Sequence, residues 1–156
     1  MFSQRHLARE IILQALFAKD FVRRICVEQP DASDEELLAD IIQEKKKFKT
    51  VNQQNLDFIR KIFNNIDSCL EEIDSKIQMY APSFPLDKIS KVDMNILRLG
   101  TYEILYGDCQ EVPAVVAINE AIELAKTFGN ESSPKFVNAV LNAIMNKEKS
   151  CQNDNP

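Results

Sequence analysis

A chain of 156 residues is long enough for one domain that buries about 68–70% of the surface its unfolded form would expose. With 45% hydrophobic and 28% charged residues the composition is that of a globular protein, which excludes wholesale disorder, and only 3 glycines argue against a glycine-rich phosphate loop. Nineteen Lys and Arg against 24 Asp and Glu give a net charge of −5, so the molecule as a whole repels polyanions and any nucleic-acid site must be a local patch.

Helix periodicity runs through the chain and strand alternation is nearly absent, so the fold class is all-α. Ser3 is placed to cap a first helix in which Leu7, Ile11, Ala15 and Phe21 or Val22 recur at helical spacing, ending before a turn around Pro30. Ser33 with Glu36 has the spacing of a capping box. The helix it opens carries Asp34, Glu35 and Glu36 at its start and Lys45, Lys46 and Lys47 at its end, matching the helix dipole. The run Lys45-Lys46-Lys47-Phe48-Lys49 reads either as a solvated helix end or as a basic RNA contact with one aromatic.

A long third helix spans residues 52–80, because Leu56, Ile59, Phe63, Ile66, Leu70, Ile73, Ile77 and Tyr80 form one stripe. Pro82 and Pro85 then break the chain, dividing residues 1–149 into two packed subdomains at about 1–81 and 82–149. After a brief turn at 86–89, Ser90 with Asp93 opens a fourth helix that Gly107 can end in the left-handed conformation. Pro113 suits the first turn of the next helix, which Gly129 ends. Ser133 followed by Pro134 starts the last helix, and the polar residues 150–156 form a disordered tail.

Little in the chain suits catalysis, which needs a nucleophile beside a base or paired groups in a cleft. Glu120 and Glu123 share a helix face but read as the polar flank of a packed helix, with Asn119 a cross-link to a neighbouring helix if buried. Cys26, Cys69, Cys109 and Cys151 are scattered with no C-x-x-C pair beside a single histidine, so neither a metal nor another cofactor is expected, and reduced thiols point to the cytoplasm. No signal peptide or membrane span is evident in the first 20 residues, where Arg5, His6, Arg9 and Glu10 interrupt the apolar positions. The sequon Asn130-Glu131-Ser132 is accordingly read as chance.

Three segments carry a family resemblance. "AINEAIELAKTFGNESSPKFVNAVLNAI" at 117–144 and "ILRLGTYEIL" at 96–105 resemble the C-terminal half of the NusB family of bacterial transcription antitermination factors, and "RHLAREIILQALF" at 5–17 is similar to that family's first helix. Residues 21–52 carry nothing family-specific. The resemblance implies about seven helices in two perpendicular three-helix bundles and no enzymatic activity. It implies pairing with NusE, a ribosomal small-subunit protein, on single-stranded boxA RNA of rRNA leaders, within an antitermination complex on RNA polymerase. The same helical domain occurs ahead of an rRNA cytosine methyltransferase, for which this sequence offers neither the length nor the glycine-rich cofactor loop.

Single-stranded RNA is held by cations on phosphates and aromatic faces under bases. Arg5 and Arg9 are four apart beside His6, and Ser132, Ser133, Pro134, Lys135 and Phe136 place hydroxyls, a helix N-terminus, a cation and a ring within one turn. The resemblance brings these together as the RNA site: Arg5, His6, Arg9, Ser132, Lys135 and Phe136. It also places Phe17 and Asp93 on the partner surface. Each has a plainer reading: Phe136 and Phe17 as core rings, Lys135 as a solvated lysine, Arg9 in an intrahelical ion pair, Asp93 as the acid of a capping box. Many relatives carry an arginine cluster before Ala-Arg-Glu where this chain has only Arg5, His6 and Leu7, so RNA affinity and its salt dependence should be weaker and the partner more important. The reading from a different class is a helical protein–protein module, or a homodimer through the same face, that binds no RNA.

Overall fold

The computed structural model describes residues 4–25, 33–47 and 50–148. Ser3, Cys26, Pro30, Phe48, Lys49, Cys151 and the expected tail at 150–156 lie outside them. The described residues form six α-helices and one short 3-10 turn with no strand, so the all-α class holds with six full helices instead of about seven. The brief turn expected at 86–89 is the 3-10 turn Leu86–Lys88, set between Pro85 and Ser90, which caps the helix directly after it.

The chain forms two compact units, Met1–Asn65 and Ile66–Pro156. The division falls inside the long third helix and not at Pro82 and Pro85, because that helix runs unbroken from Gln53 to Tyr80 and serves both units.

In the first unit, α1 (Gln4–Ile25) packs against α2 (Asp34–Lys46). α1 buries Leu7, Ile11 and Ala15 of its expected stripe together with Ala8, Ile12, Leu13 and Leu16, while Phe21 at the end of that stripe is exposed and Val22 half-buried. α2 buries only Leu38 and Ile42. Its N-terminus is closed by the expected box: Glu36 N–H donates to Ser33 Oγ at 3.2 Å, and Ser33 N–H donates to Glu36 Oε2 at 3.0 Å. The buried Lys19 of α1 ties the two helices together, its Nζ 2.7 Å from an Asp34 carboxylate oxygen and 4.9 Å from the Phe63 ring centre. α3 (Gln53–Tyr80) starts where Asn52 Oδ1 accepts the Asn55 N–H at 2.9 Å, and it contributes Leu56, Ile59, Ile62 and Phe63 to the core.

The second unit contains the rest of α3, with Ile66, Ile73 and Ile77 buried, and three helices that pack against one another: α4 (Lys91–Tyr106), α5 (Ala114–Phe128) and α6 (Ser133–Glu148). Arg98 of α4 forks onto Asp74 of α3 through two bonds of 2.8 and 2.9 Å. Tyr106 donates its phenol proton to Glu72; burial first and that bond second hold the phenol well above the usual tyrosine range. Gly107 ends α4 with φ −75°, extended and not left-handed. Glycine is needed there for room, since a Cβ would run into the Glu103 carbonyl.

Tyr80 and Lys76 of α3 both reach Glu148 at the end of α6, the phenol donating at 2.8 Å and the ammonium at 3.1 Å. The Tyr80 bond, then Lys76, hold the Glu148 carboxyl below its ordinary range, while the same bond raises the Tyr80 phenol. A lowered carboxylate contributes stability above its unfolded pKa that disappears as pH falls through the folded value. A raised phenol contributes stability below the usual tyrosine range that disappears as pH rises through its folded value. The contact is therefore expected to persist from mildly acid to mildly alkaline pH and to weaken at both ends. Tyr80→Phe should flatten both limbs in thermal melts taken across pH; limbs unchanged in that variant would show that other groups set them.

Candidate nucleic-acid interface

The first group of expected site residues lies in the first unit, in the opening turns of α1. Arg5 and Arg9 do share a face, and the object they share it with is Phe58 of α3, whose ring centre lies 4.0 Å from the Arg5 guanidinium carbon and 5.3 Å from that of Arg9. A cation over a ring gains roughly 0.5–2 kcal/mol, more when water is excluded. The face is turned inward at Arg9, which is 2% exposed, and His6 is buried with it, its Nε2 3.5 Å from Glu10. Arg5 is half-buried and is the cation of this turn that reaches solvent. The spacing of Arg5 and Arg9 showed that they align but not which way the face points. Phe58 was missed because it falls beside the apolar stripe of α3, next to the buried Ile59.

Farther along α1, Phe17 is 38% exposed and Phe21, one turn on, is 56% exposed. Phe17 is therefore not a core ring, although it follows Leu13 and Leu16.

The second group lies in the second unit, around the start of α6, and its organiser is Asn130. The Asn130 side-chain oxygen accepts from the backbone N–H groups of Ser132 and Ser133 at 2.9 and 3.1 Å and from both their hydroxyls at 2.8 and 3.2 Å. Ser133 Oγ in return accepts the Asn130 N–H at 2.9 Å. Asn130 thus caps the helix, and Ser133, expected as the cap, is a buried residue of its first turn. Gly129 makes this possible: its backbone is extended, and a Cβ there would meet the Ser133 side chain at 2.5 Å. The result fixes the first turn of α6 with Ser132 and Lys135 exposed at the positive end of the helix dipole, its Ser132 and Ser133 amides taken up by Asn130.

Phe136 is half-buried, neither a core ring nor a fully free one. It packs edge to face with Phe84, centres 5.3 Å apart and planes at 67°. Phe84 was not among the expected residues; an aromatic between Pro82 and Pro85, outside any helix stripe, was the signal.

Asp93 is 7% exposed at the first turn of α4. The expected capping box is half-formed: Asp93 N–H donates to Ser90 Oγ at 3.1 Å, but Asp93 Oδ1 has no hydrogen-bond partner among the described residues. The two groups of site residues fall in different units, as do Phe17 and Asp93.

Elsewhere the polar residues have structural settings. Glu123 pairs with Lys126 at 3.1 Å in solvent, and Asn119 is exposed, so it cross-links no helices. Cys69 and Cys109 are thiols, not disulfide-bonded. Among the described residues no cluster of three or more His, Cys, Asp or Glu is placed to hold a metal ion, and no helix is long and apolar enough to cross a membrane.

Comparison with known proteins gives one consistent match. The model of the NusB family matches residues 6–146. A transcription antitermination protein NusB of Dehalococcoides mccartyi (strain CBDB1) is 35% identical over 144 residues, covering 92% of this chain and 91% of that protein. Among solved structures, T. maritima NusB is 34% identical with a TM-score of 0.77 over 94% of each chain. A structure of the antitermination factors NusB and NusE in complex with dsRNA is 26% identical, with a TM-score of 0.74 over 94% of this chain and 98% of that one.

Proposed function

This chain belongs to the NusB family, and from that premise we propose that it is a transcription antitermination factor that binds RNA together with NusE. The observation that carries the reading is the match, across nearly the whole chain, to a NusB solved with NusE and RNA. The finer assignment is to boxA-type single-stranded RNA of rRNA leaders, within an antitermination complex on RNA polymerase in the cytoplasm, by a protein that is not an enzyme. The first turn of α6 supports it: the exposed Lys135 at the positive end of the helix dipole offers a phosphate contact, and the Phe84–Phe136 pair offers ring surface. Arg5 adds a cation on α1. His6 and Arg9 hold the α1 turn that carries Arg5, and Ser132 adds an exposed hydroxyl at the start of α6. Phe17 and Asp93 are assigned to NusE, the first as an exposed ring and the second as a carboxylate with an acceptor atom to spare.

The test is binding of a boxA-type RNA to the purified protein with and without NusE across a salt series. With a net charge of −5, the protein alone should bind feebly and the complex tightly. Lys135→Ala should weaken binding and make the log–log salt slope shallower by about 0.7, one phosphate contact on a single strand. Phe136→Ala should weaken binding with the slope unchanged. Absence of RNA binding by the NusE complex even at low salt would sink the reading. A homodimer through α1 is the second reading, favoured by the exposed Phe17 and Phe21, and sedimentation of the protein alone against the NusE mixture distinguishes it.

A further inference from the structure

We propose that Phe84 is a base-stacking residue of the RNA site, an assignment that rests on the RNA-binding reading above and extends it to a residue outside the helices. The segment between α3 and the 3-10 turn contains Pro82 and Pro85, neither of which can donate a backbone hydrogen bond. It is held instead by the side chain of Gln78, whose Nε2 donates to the carbonyls of Ala81 at 3.4 Å and Phe84 at 3.3 Å, while its Oε1 accepts the Leu86 N–H at 3.2 Å. The Phe84 N–H donates in turn to Ala81 O at 3.1 Å. Both backbone groups of Phe84 are therefore bonded, yet the residue is 52% exposed. Folding fixes the main chain at this point and leaves the ring in water.

The ring is also positioned. It meets Phe136 at 67°, and an edge-to-face pair engages one face of one ring at most, so this contact leaves Phe84 surface open to solvent. Phe136 directly follows the exposed Lys135 in the first turn of α6, at the positive end of that helix's dipole. Ring faces beside a cation and a helix N-terminus match the two ends of a single nucleotide, base and phosphate. An apolar peptide would use the rings but not the positive end. The exposed Glu131 in the preceding turn opposes an anion, and the phosphate is accordingly placed on the Lys135 side. The occupant is an unpaired base of single-stranded RNA, taken without strong preference for its identity, because every base has a π-face.

The experiment uses the full chain with NusE and a boxA-type single-stranded RNA carrying 2-aminopurine at one position at a time. Phe84→Ala should weaken RNA binding about 5- to 100-fold, the range of base–aromatic stacking, with the salt slope unchanged and the quenching of one 2-aminopurine position lost. Phe84→Trp should restore both. Melting curves and NusE affinity without RNA accompany each variant, and a half-exposed ring should leave both near wild type. RNA affinity retained in Phe84→Ala while Phe136→Ala is weakened would overturn the assignment and leave the RNA site standing. No RNA binding by the wild-type complex would overturn both. Weaker NusE binding by Phe84→Ala in the absence of RNA would give the ring to the protein partner and overturn the assignment as well.

Discussion

Arg9→Ala should cost the fold about 2–4 kcal/mol, lowering Tm by roughly 5–15 °C, before it tells anything about RNA. The side chain is 2% exposed and its guanidinium lies 5.3 Å from the Phe58 ring centre. Truncation leaves a cavity where the stem packed and strands the groups that face the charge, the two mechanisms behind large single-residue losses. Arg5→Ala is the contrasting case. Arg5 stacks closer on Phe58, at 4.0 Å, but is half-buried, so its loss should leave Tm nearly unchanged. It should instead weaken RNA binding by the NusE complex and make the salt slope shallower by about 0.7. Thermal melts and salt-series binding on both variants check this pair of expectations. An Arg9→Ala protein that melts like wild type yet loses RNA would show that the guanidinium reaches the ligand after all.

Asp74→Ala should be the comparable lesion in the second unit, at about 2–3 kcal/mol. The Arg98 side chain is 13% exposed and that of Asp74 23%, so the fork between them is largely shielded from solvent. Its two parallel bonds of 2.8 and 2.9 Å have the bidentate geometry that makes an arginine–carboxylate pair strong. Removing the carboxylate takes both of these bonds from a shielded guanidinium, which keeps among its other contacts the 3.4 Å bond to Asn95 Oδ1. Full burial would raise the figure towards the roughly 3–5 kcal/mol of a broken interior pair; the residual exposure lowers it. Asp74→Leu combined with Arg98→Met should recover part of the loss, because an apolar pair leaves no charge behind. Urea melts of the single and double variants give the coupling energy, and additive losses would mean that the fork contributes nothing as a pair.

The helices were legible because their ends carry chemistry. Ser33 with Glu36, Ser90, Pro113 and Gly129 each mark a boundary, and the apolar stripe of α3 was traced through Ile66, Ile73 and Ile77. What spacing cannot give is direction and space. Arg5 and Arg9 align on any helix, but only the packed structure turns Arg9 inward. Gly107 looked like a left-handed cap and is an extended residue that needs room. Asn130 sits in a turn where one amide oxygen collects four donors, a convergence no periodicity encodes. The half-formed box at Asp93 is likewise a matter of where one carboxylate points. RNA and NusE were never readable from periodicity or charge, and indeed the net charge argues the other way; they came from resemblance, and the family match is what supports them.

α2 buries two side chains, Leu38 and Ile42, and is otherwise fastened by a cap at one end and by Lys19 through Asp34. A helix so lightly attached contributes little to the cooperative core and should open at lower free energy than its neighbours. Its fastenings also ask little of its sequence. Any helix of similar length with two apolar anchors and an acid near its start would satisfy the same fastenings, and lengthening the flanking segments adds little closure entropy. So few contacts also leave little pattern to read in the sequence: within residues 21–52 the capping box and the terminal charges of α2 are the marks that spacing gives.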